Sequence, residues 1–151
     1  MSAFEIVRSA HIAADPALVH ALINDFHAWQ VWSPWEGMDP AMQREYSGPH
    51  SGTGAHYAWS GNRKAGTGSM EITSSDPQEI ALRLSFLKPW KATNQVLFSL
   101  TPRNAGTDVD WRMNGEHQGL MAVAGKLFNI DKLVGRDFEK GLAQLKAAAE
   151  D

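Results

Sequence analysis

The sequence predicts an α+β fold in which a seven-stranded antiparallel sheet wraps around a long C-terminal helix, with two short helices after the first strand. Two observations carry this reading. Segments of strict apolar and polar alternation follow one another from residue 42 to residue 113, separated only by short turn signals, as in a meander. The chain then ends on an amphipathic stretch, residues 119 to 149, whose apolar stripe runs Leu127, Ile130, Val134, Phe138, Leu142, Leu145. A curved sheet of this kind needs a cover for its apolar face. The terminal helix, centred on residues 128 to 148, is the only element long enough to supply it.

The elements follow in order. Residues 3 to 12 place Phe4, Ile6, Ala10 and Ile12 on one side and Glu5, Ser9 and His11 on the other, which is strand periodicity. Asp15-Pro16 pairs a good N-cap with a residue pre-set for the first helical position. The helix it starts carries Leu18, Val19, Leu22 and Ile23 inward and ends at Asn24-Asp25. A second short helix through Phe26, Trp29 and Trp32 stops by Ser33, because Pro34 disfavours helical geometry in the residue before it.

From Met42 onward strands and turns alternate. Ser47-Gly48-Pro49 and Ser51-Gly52-Thr53-Gly54 read as loop, Ala55 to Ser60 as a strand, and the run from Gly61 to Gly66 as a hairpin connection. A strand over about 67 to 74 carries Met70 and Ile72. Asp76-Pro77 turns the chain into one in which Ile80, Leu82, Leu84 and Phe86 alternate with Ala81, Arg83 and Ser85. After Lys88-Pro89-Trp90-Lys91, the residues Ala92, Asn94, Val96, Phe98 and Leu100 share a face. Asn104-Ala105-Gly106 is the last tight turn, and Val109, Trp111 and Met113 face inward beyond it.

Composition narrows the function. A chain of 151 residues, 43% hydrophobic and 21% charged, suits one domain over 1 to 151 with its own core. The formal charge is −3 and the 14 Lys and Arg are dispersed, so no nucleic-acid footprint is present. The absence of cysteine removes disulfides and thiolate chemistry. The first residues run into a strand pattern without a basic or apolar leader, and no apolar run approaches bilayer length, so a cytoplasmic protein without membrane insertion is expected. The pattern fixes no oligomeric state.

Few residues offer chemistry. The six histidines, at 11, 20, 27, 50, 56 and 117, show no ligand spacing on one helix or strand, and the break at Asn24-Asp25 separates His20 from His27. No metal and no cofactor is expected. Gly52-Thr53-Gly54 and Gly66-Thr67-Gly68 lack the strand-to-helix context of a phosphate loop. Trp29 and Trp32 share a helix face and read either as core or as the rim of a pocket, with Ser33-Pro34 swinging Trp35 elsewhere. Asp131 falls on the apolar stripe between Leu127 and Val134. It is a desolvated acid if the helix is continuous, or an N-cap if the helix restarts there, since Gly125 and Asn129 weaken continuity. Asn94 stands on an otherwise apolar face, where it either meets a ligand or pairs with backbone near the Pro89-Trp90 turn. Gly135 and Gly141 inside the helix each cost roughly 1 kcal/mol relative to Ala, offset by close packing or by room for a bound molecule.

Several stretches together resemble a known family. They are Asp15-Pro16-Ala17, Trp29-x-x-Trp32-Ser33-Pro34-Trp35, Ser51-Gly52-Thr53-Gly54 leading into Tyr57-x-Trp59-x-Gly61-Asn62, Gly66-x-Gly68, and Asp137-Phe138-Glu139-x-Gly141-Leu142. They and the element order are similar to bacterial members of the START-like superfamily, also called polyketide cyclase/dehydrase and lipid-transport-like (SRPBCC), over essentially the whole chain. The resemblance implies the helix-grip fold. It does not by itself select a function, because that superfamily spans carriers, receptors and cyclases.

The first functional expectation is a non-enzymatic binder of a small hydrophobic molecule such as a lipid or polyketide. Its pocket between sheet and helix would be lined by Tyr57, Trp59, Met70, Leu84, Phe86, Asn94, Val96, Phe98, Trp111, Met113 and Phe138. The alternative is a cyclase or dehydratase in which Asp131 or Asn94, with a nearby Tyr57 hydroxyl, moves protons on a polyketide-like substrate. A third is an interaction module that docks a partner protein on exposed Trp35 and Trp90.

Overall fold

A computed structural model describes residues 2–35, 41–62, 66–88, 91–117 and 130–151. Its elements are β1 (Ser2–Ile12), α1 (Pro16–Ile23), α2 (Trp29–Trp32), β2 (Gln43–Ser47), β3 (His56–Ser60), β4 (Thr67–Ser75), β5 (Glu79–Lys88), β6 (Ala92–Arg103), β7 (Gly106–His117) and α3 (Ile130–Glu150). The seven strands form one sheet in the order β1-β7-β6-β5-β4-β3-β2, and every pair is antiparallel. The predicted fold class is therefore the observed one. Irregular register in the β4–β5 pair, at Thr67/Gly68 and Ile72/Ser74, marks places where the sheet bends.

Local chemistry explains the boundaries. Asp15 caps α1 by accepting a hydrogen bond from the Ala17 N–H at 2.8 Å, and Pro16 takes the first helical position. The open carbonyls at the other end of α1 are taken by tryptophans: Trp32 Nε1 donates to the Leu22 carbonyl and Trp29 Nε1 to the Ile23 carbonyl, both at 2.8 Å. These two indoles are thus core residues that also terminate a helix. Leu18, expected inward, is 47% exposed. A two-turn helix buries a stripe at i, i+3 and i+4, here Val19, Leu22 and Ile23, and Leu18 lies about 100° off it.

The outer face of β1 and β7 is laced by polar pairs that the alternation anticipates: Ser9 to Asp110 at 2.5 Å, Arg112 to Glu5 at 3.1 Å, and His11 to Asp108 at 2.7 Å. The hydrogen bond with His11, aided by Arg103, holds the Asp108 carboxyl below the usual aspartate range. Asn104 and Ala105 both adopt positive φ, the mirror-image turn that matches the twist of a tight hairpin.

The helix meets the sheet through rings. Phe138 of α3 stacks flat on Trp111 of β7, with centroids 4.1 Å apart and planes 6° from parallel. Trp32, Trp35 and Trp29 present themselves edge-on to the same indole at 5.6, 5.7 and 6.3 Å, and Phe98 lies 4.9 Å away. Both helix glycines now have a reason. A β-carbon on Gly141 would lie 2.8 Å from Trp111 Cζ3 and 2.9 Å from Pro34 Cδ, and one on Gly135 would overlap the Arg8 guanidinium. They allow close approach.

Two predictions come from this contact. Phe138→Ala removes a fully buried ring and is expected to cost about 3 to 5 kcal/mol in chemical denaturation; a loss under about 1 kcal/mol would show that the ring does not hold the helix. Gly141→Ala gains about 1 kcal/mol of helix propensity but forces a methyl into packed atoms, at a cost of about 1 to 3 kcal/mol. A net loss of stability is expected, and a stabilised Ala variant would refute the close approach.

Candidate functional site

The strand register lines up the inward residues in rows across the sheet. One row reads Arg8, Trp111, Phe98, Ile80, from β1 through β7 and β6 to β5. The next is Ile6, Met113, Val96, Leu82, Ile72, and the third is Phe4, Gly115, Asn94, Leu84, Met70, Tyr57, Tyr46. A shorter row beyond it holds Ala92, Phe86, Gly68, Trp59 and Arg44.

Exposure grades along these rows. Phe98, Trp111 and Phe138 are sealed, at 0 to 1%. Val96, Met113, Leu84, Met70, Tyr57 and Asn94 keep 5 to 7%, and Phe86, Trp59, Phe4 and Tyr46 are half-buried. The sequence-selected sheet residues share the face that α3 packs on, and Phe138 meets that face from the helix. Phe98, Trp111 and Phe138 form a closed aromatic clamp, while Tyr57, Met70, Leu84, Asn94, Val96 and Met113 form a mostly apolar floor of slight exposure bordered by the half-buried Trp59 and Phe86. Trp59 and Phe86 meet edge to face at 5.8 Å, and Trp59 stacks beside Tyr57 at 6.0 Å.

Asn94 is the polar point on that floor. It is 5% exposed, and its Oδ1 is buried without a hydrogen-bond partner among the described residues. Gly115 of β7, next to the Gln95–Asn114 register pair, lies so close that a β-carbon there would collide with Oδ1. Backbone pairing near the Pro89-Trp90 turn, one of the two sequence expectations for this side chain, falls on residues outside the described ones. Trp111 Nε1, inside the clamp, is likewise buried without a partner among the described residues.

The expected acid and base do not assemble from Asn94 and Tyr57. β5 and β4 lie between their strands, so their backbones start about 14 Å apart along the sheet. Tyr57 is instead packed among rings, with Phe26 at 5.9 Å and Tyr46 at 5.2 Å. The backbone of Asp131 is helical in α3, but its side chain, together with Gly125, Leu127, Asn129 and Trp90, lies outside the described residues. Trp35 is not the exposed docking ring that was expected. It is half-buried against Trp111 and Phe138, and its Nε1 donates to Asp137 Oδ2 at 3.2 Å.

Four side chains took positions the sequence reading did not assign. Arg8 has the parity of the inward residues of β1, and its Nε donates to Glu139 Oε2 of α3 at 2.9 Å; even numbering in an alternating strand was the available signal. The sequence offers no ligand spacing on one helix or strand, yet three ligand-type side chains meet in space. Asp25, His27 and His50 bring their ligating atoms within 4.8 Å of one another. His50 comes from a loop 23 positions on, so no local spacing announced it. Partial burial pushes the Asp25 carboxyl up, but hydrogen bonds from the His27 side chain and backbone, with the charges of His50 and His27, leave it below its ordinary range.

No helix among the described residues is long and apolar enough to cross a membrane. Solved structures with this architecture include a protein from Chromobacterium violaceum, at TM-score 0.68 and 14% identity over 97% of both chains. Aha1 from Colwellia psychrerythraea, a dimer in its solution structure, aligns at 0.64 and 18% over 97% of this chain and 96% of that one. The major latex-like protein of Panax ginseng aligns at 0.69 and 10% over 99% of each. At these identities the likeness is one of fold. No curated protein matches the sequence. The profile of the polyketide cyclase/dehydrase and lipid transport family matches residues 3–150, and the chain belongs to that family.

Proposed function

We propose that the protein binds a small, mostly apolar molecule on the concave floor between Tyr57 and Met113, and that the molecule carries one hydrogen-bonding group held by Asn94. The observation that carries this reading is the unpartnered Oδ1 of a residue 95% buried, set in a row of Phe4, Leu84, Met70 and Tyr57 that is otherwise apolar or aromatic. A buried acceptor left without a donor costs about 1 to 3 kcal/mol. A ligand hydroxyl or amide N–H recovers that cost and is selected over a hydrocarbon of the same shape, as in pockets where a few polar groups orient an apolar body. Trp59 and Phe86, half-buried at the open side, would flank the entrance. Family membership agrees with such a ligand class, which includes lipids and polyketides.

Asn94 with Tyr57 is the less supported pair of the cyclase reading, because two strands lie between them and Tyr57 packs among Phe26 and Tyr46. Two measurements test the proposal. Native mass spectrometry of the protein purified from its own host should reveal a co-purifying small molecule. Fluorescence titration should show 1-naphthol binding about five- to tenfold more tightly than naphthalene, the margin of one hydrogen bond. Asn94→Leu should erase that margin, keep naphthalene affinity, and leave the protein at least as stable. Equal affinity for both probes in the unmodified protein would remove Asn94 as the anchor, and failure to bind either would remove the pocket.

A further inference from the structure

We infer that Asp25, His27 and His50 form a binding site for one divalent transition-metal ion of the zinc class, apart from the concave floor. The carboxylate holds both imidazoles: Asp25 Oδ1 is 2.8 Å from His27 Nδ1, and Asp25 Oδ2 is 3.0 Å from His50 Nε2. With metal bonds of about 2.1 Å at tetrahedral angles, neighbouring donors sit about 3.4 Å apart. These separations lie within about 0.6 Å of that edge, so a small opening of the clasp admits an ion. The two rings lie one above the other, centroids 4.5 Å apart and 8° from parallel, so both present a nitrogen to the same carboxylate.

The surroundings hold this geometry. The His27 backbone N–H donates to Asp25 Oδ1 at 2.9 Å, which orients the carboxylate. Tyr46 stacks on the other face of His27 at 4.0 Å, and its hydroxyl accepts a hydrogen bond from Gln30 at 2.7 Å. The loop that carries His50 is tied to the end of α1 by Gly52, whose N–H donates to the Asn24 carbonyl at 3.0 Å. Its start is fixed by Gly48 in a left-handed conformation, pressed against the Gly54 carbonyl so closely that no side chain fits.

The donor set selects the ion. Two imidazoles and a carboxylate, in a chain without cysteine, suit zinc, copper or nickel and not the hard, oxygen-seeking magnesium or calcium. An ionised carboxylate only accepts, so each facing ring nitrogen now carries a proton. On metal binding that proton leaves for solvent or is replaced by one on the ring's other nitrogen, and the freed lone pair binds the ion. His50 is 75% exposed at its side chain and His27 42%, so the remaining coordination positions face water.

Isothermal titration of the full chain with zinc chloride at pH 7.5 should give one equivalent bound with a dissociation constant of about 1 μM or lower. His27→Ala and His50→Ala should each weaken it about tenfold or more, with unchanged far-ultraviolet circular dichroism, and His56→Ala should leave it intact. The His27 and His50 imidazole resonances should be the ones that shift with zinc. An absence of saturable binding, or affinity retained in both histidine variants, would overturn the site and leave a carboxylate that merely clasps two imidazoles. Neither result bears on the naphthol titration, which reads the concave floor.

Discussion

The contact on which the architecture depends is the flat stack of Phe138 on Trp111. It fixes how deeply α3 sits on the sheet, and other features near it follow from that depth. Gly135 and Gly141 lie three residues to either side of Phe138 along the helix. A side chain at either would lift the helix, at Gly135 off Arg8 and at Gly141 off Trp111 and Pro34. The helix therefore gives up roughly 2 kcal/mol of propensity over two glycines, and the ring burial they permit outweighs it. Trp111 also leaves its Nε1 unpaired. That penalty is tolerated because five other aromatic rings surround the indole, with centroids between 4.1 and 6.3 Å.

Tight closure at one end has a consequence at the other. The row through Trp111 and Phe98 is sealed by α2 and Phe138, whereas the row through Asn94 and Tyr57, four residues further along each strand, keeps slight exposure throughout. A sheet gripped at one end and bent at the irregular β4–β5 pairs does not bring its far rows equally close to the helix. The graded floor is thus a product of the same stack that stabilises the domain, with sealed rings at one end and the half-buried Trp59 and Phe86 at the other.

Strand number, order of elements and inward faces were legible in the sequence because each rests on local signals: period-two alternation, Asp-Pro caps and Gly-rich turns. Asn94 was legible too, as a parity violation on an apolar face. What the sequence hid depends on register and on loop docking. That Gly115 faces Asn94, that β5 and β4 separate Asn94 from Tyr57, and that Gly135 lies under Arg8 are cross-strand and helix-to-sheet relations, which no single segment encodes. The clustering of Asp25, His27 and His50 hangs on the turn at Gly48 that returns the loop to α1. Leu18 was misplaced because the apolar positions of a two-turn helix exceed the stripe it can bury.

The pairing of Asn94 with Gly115 is itself an argument about function. In a position chosen for stability alone, a leucine at 94 would remove the unsatisfied acceptor and fill the same volume. A side chain at 115 would cover the floor from β7, but Asn94 Oδ1 occupies that space. Both choices run against packing. Together they keep one acceptor within an apolar surface, with its neighbours across the sheet, Phe4 and Leu84, unable to satisfy it. On the proposed reading, that cost is removed from outside the chain, by a hydrogen-bond donor on an otherwise apolar guest.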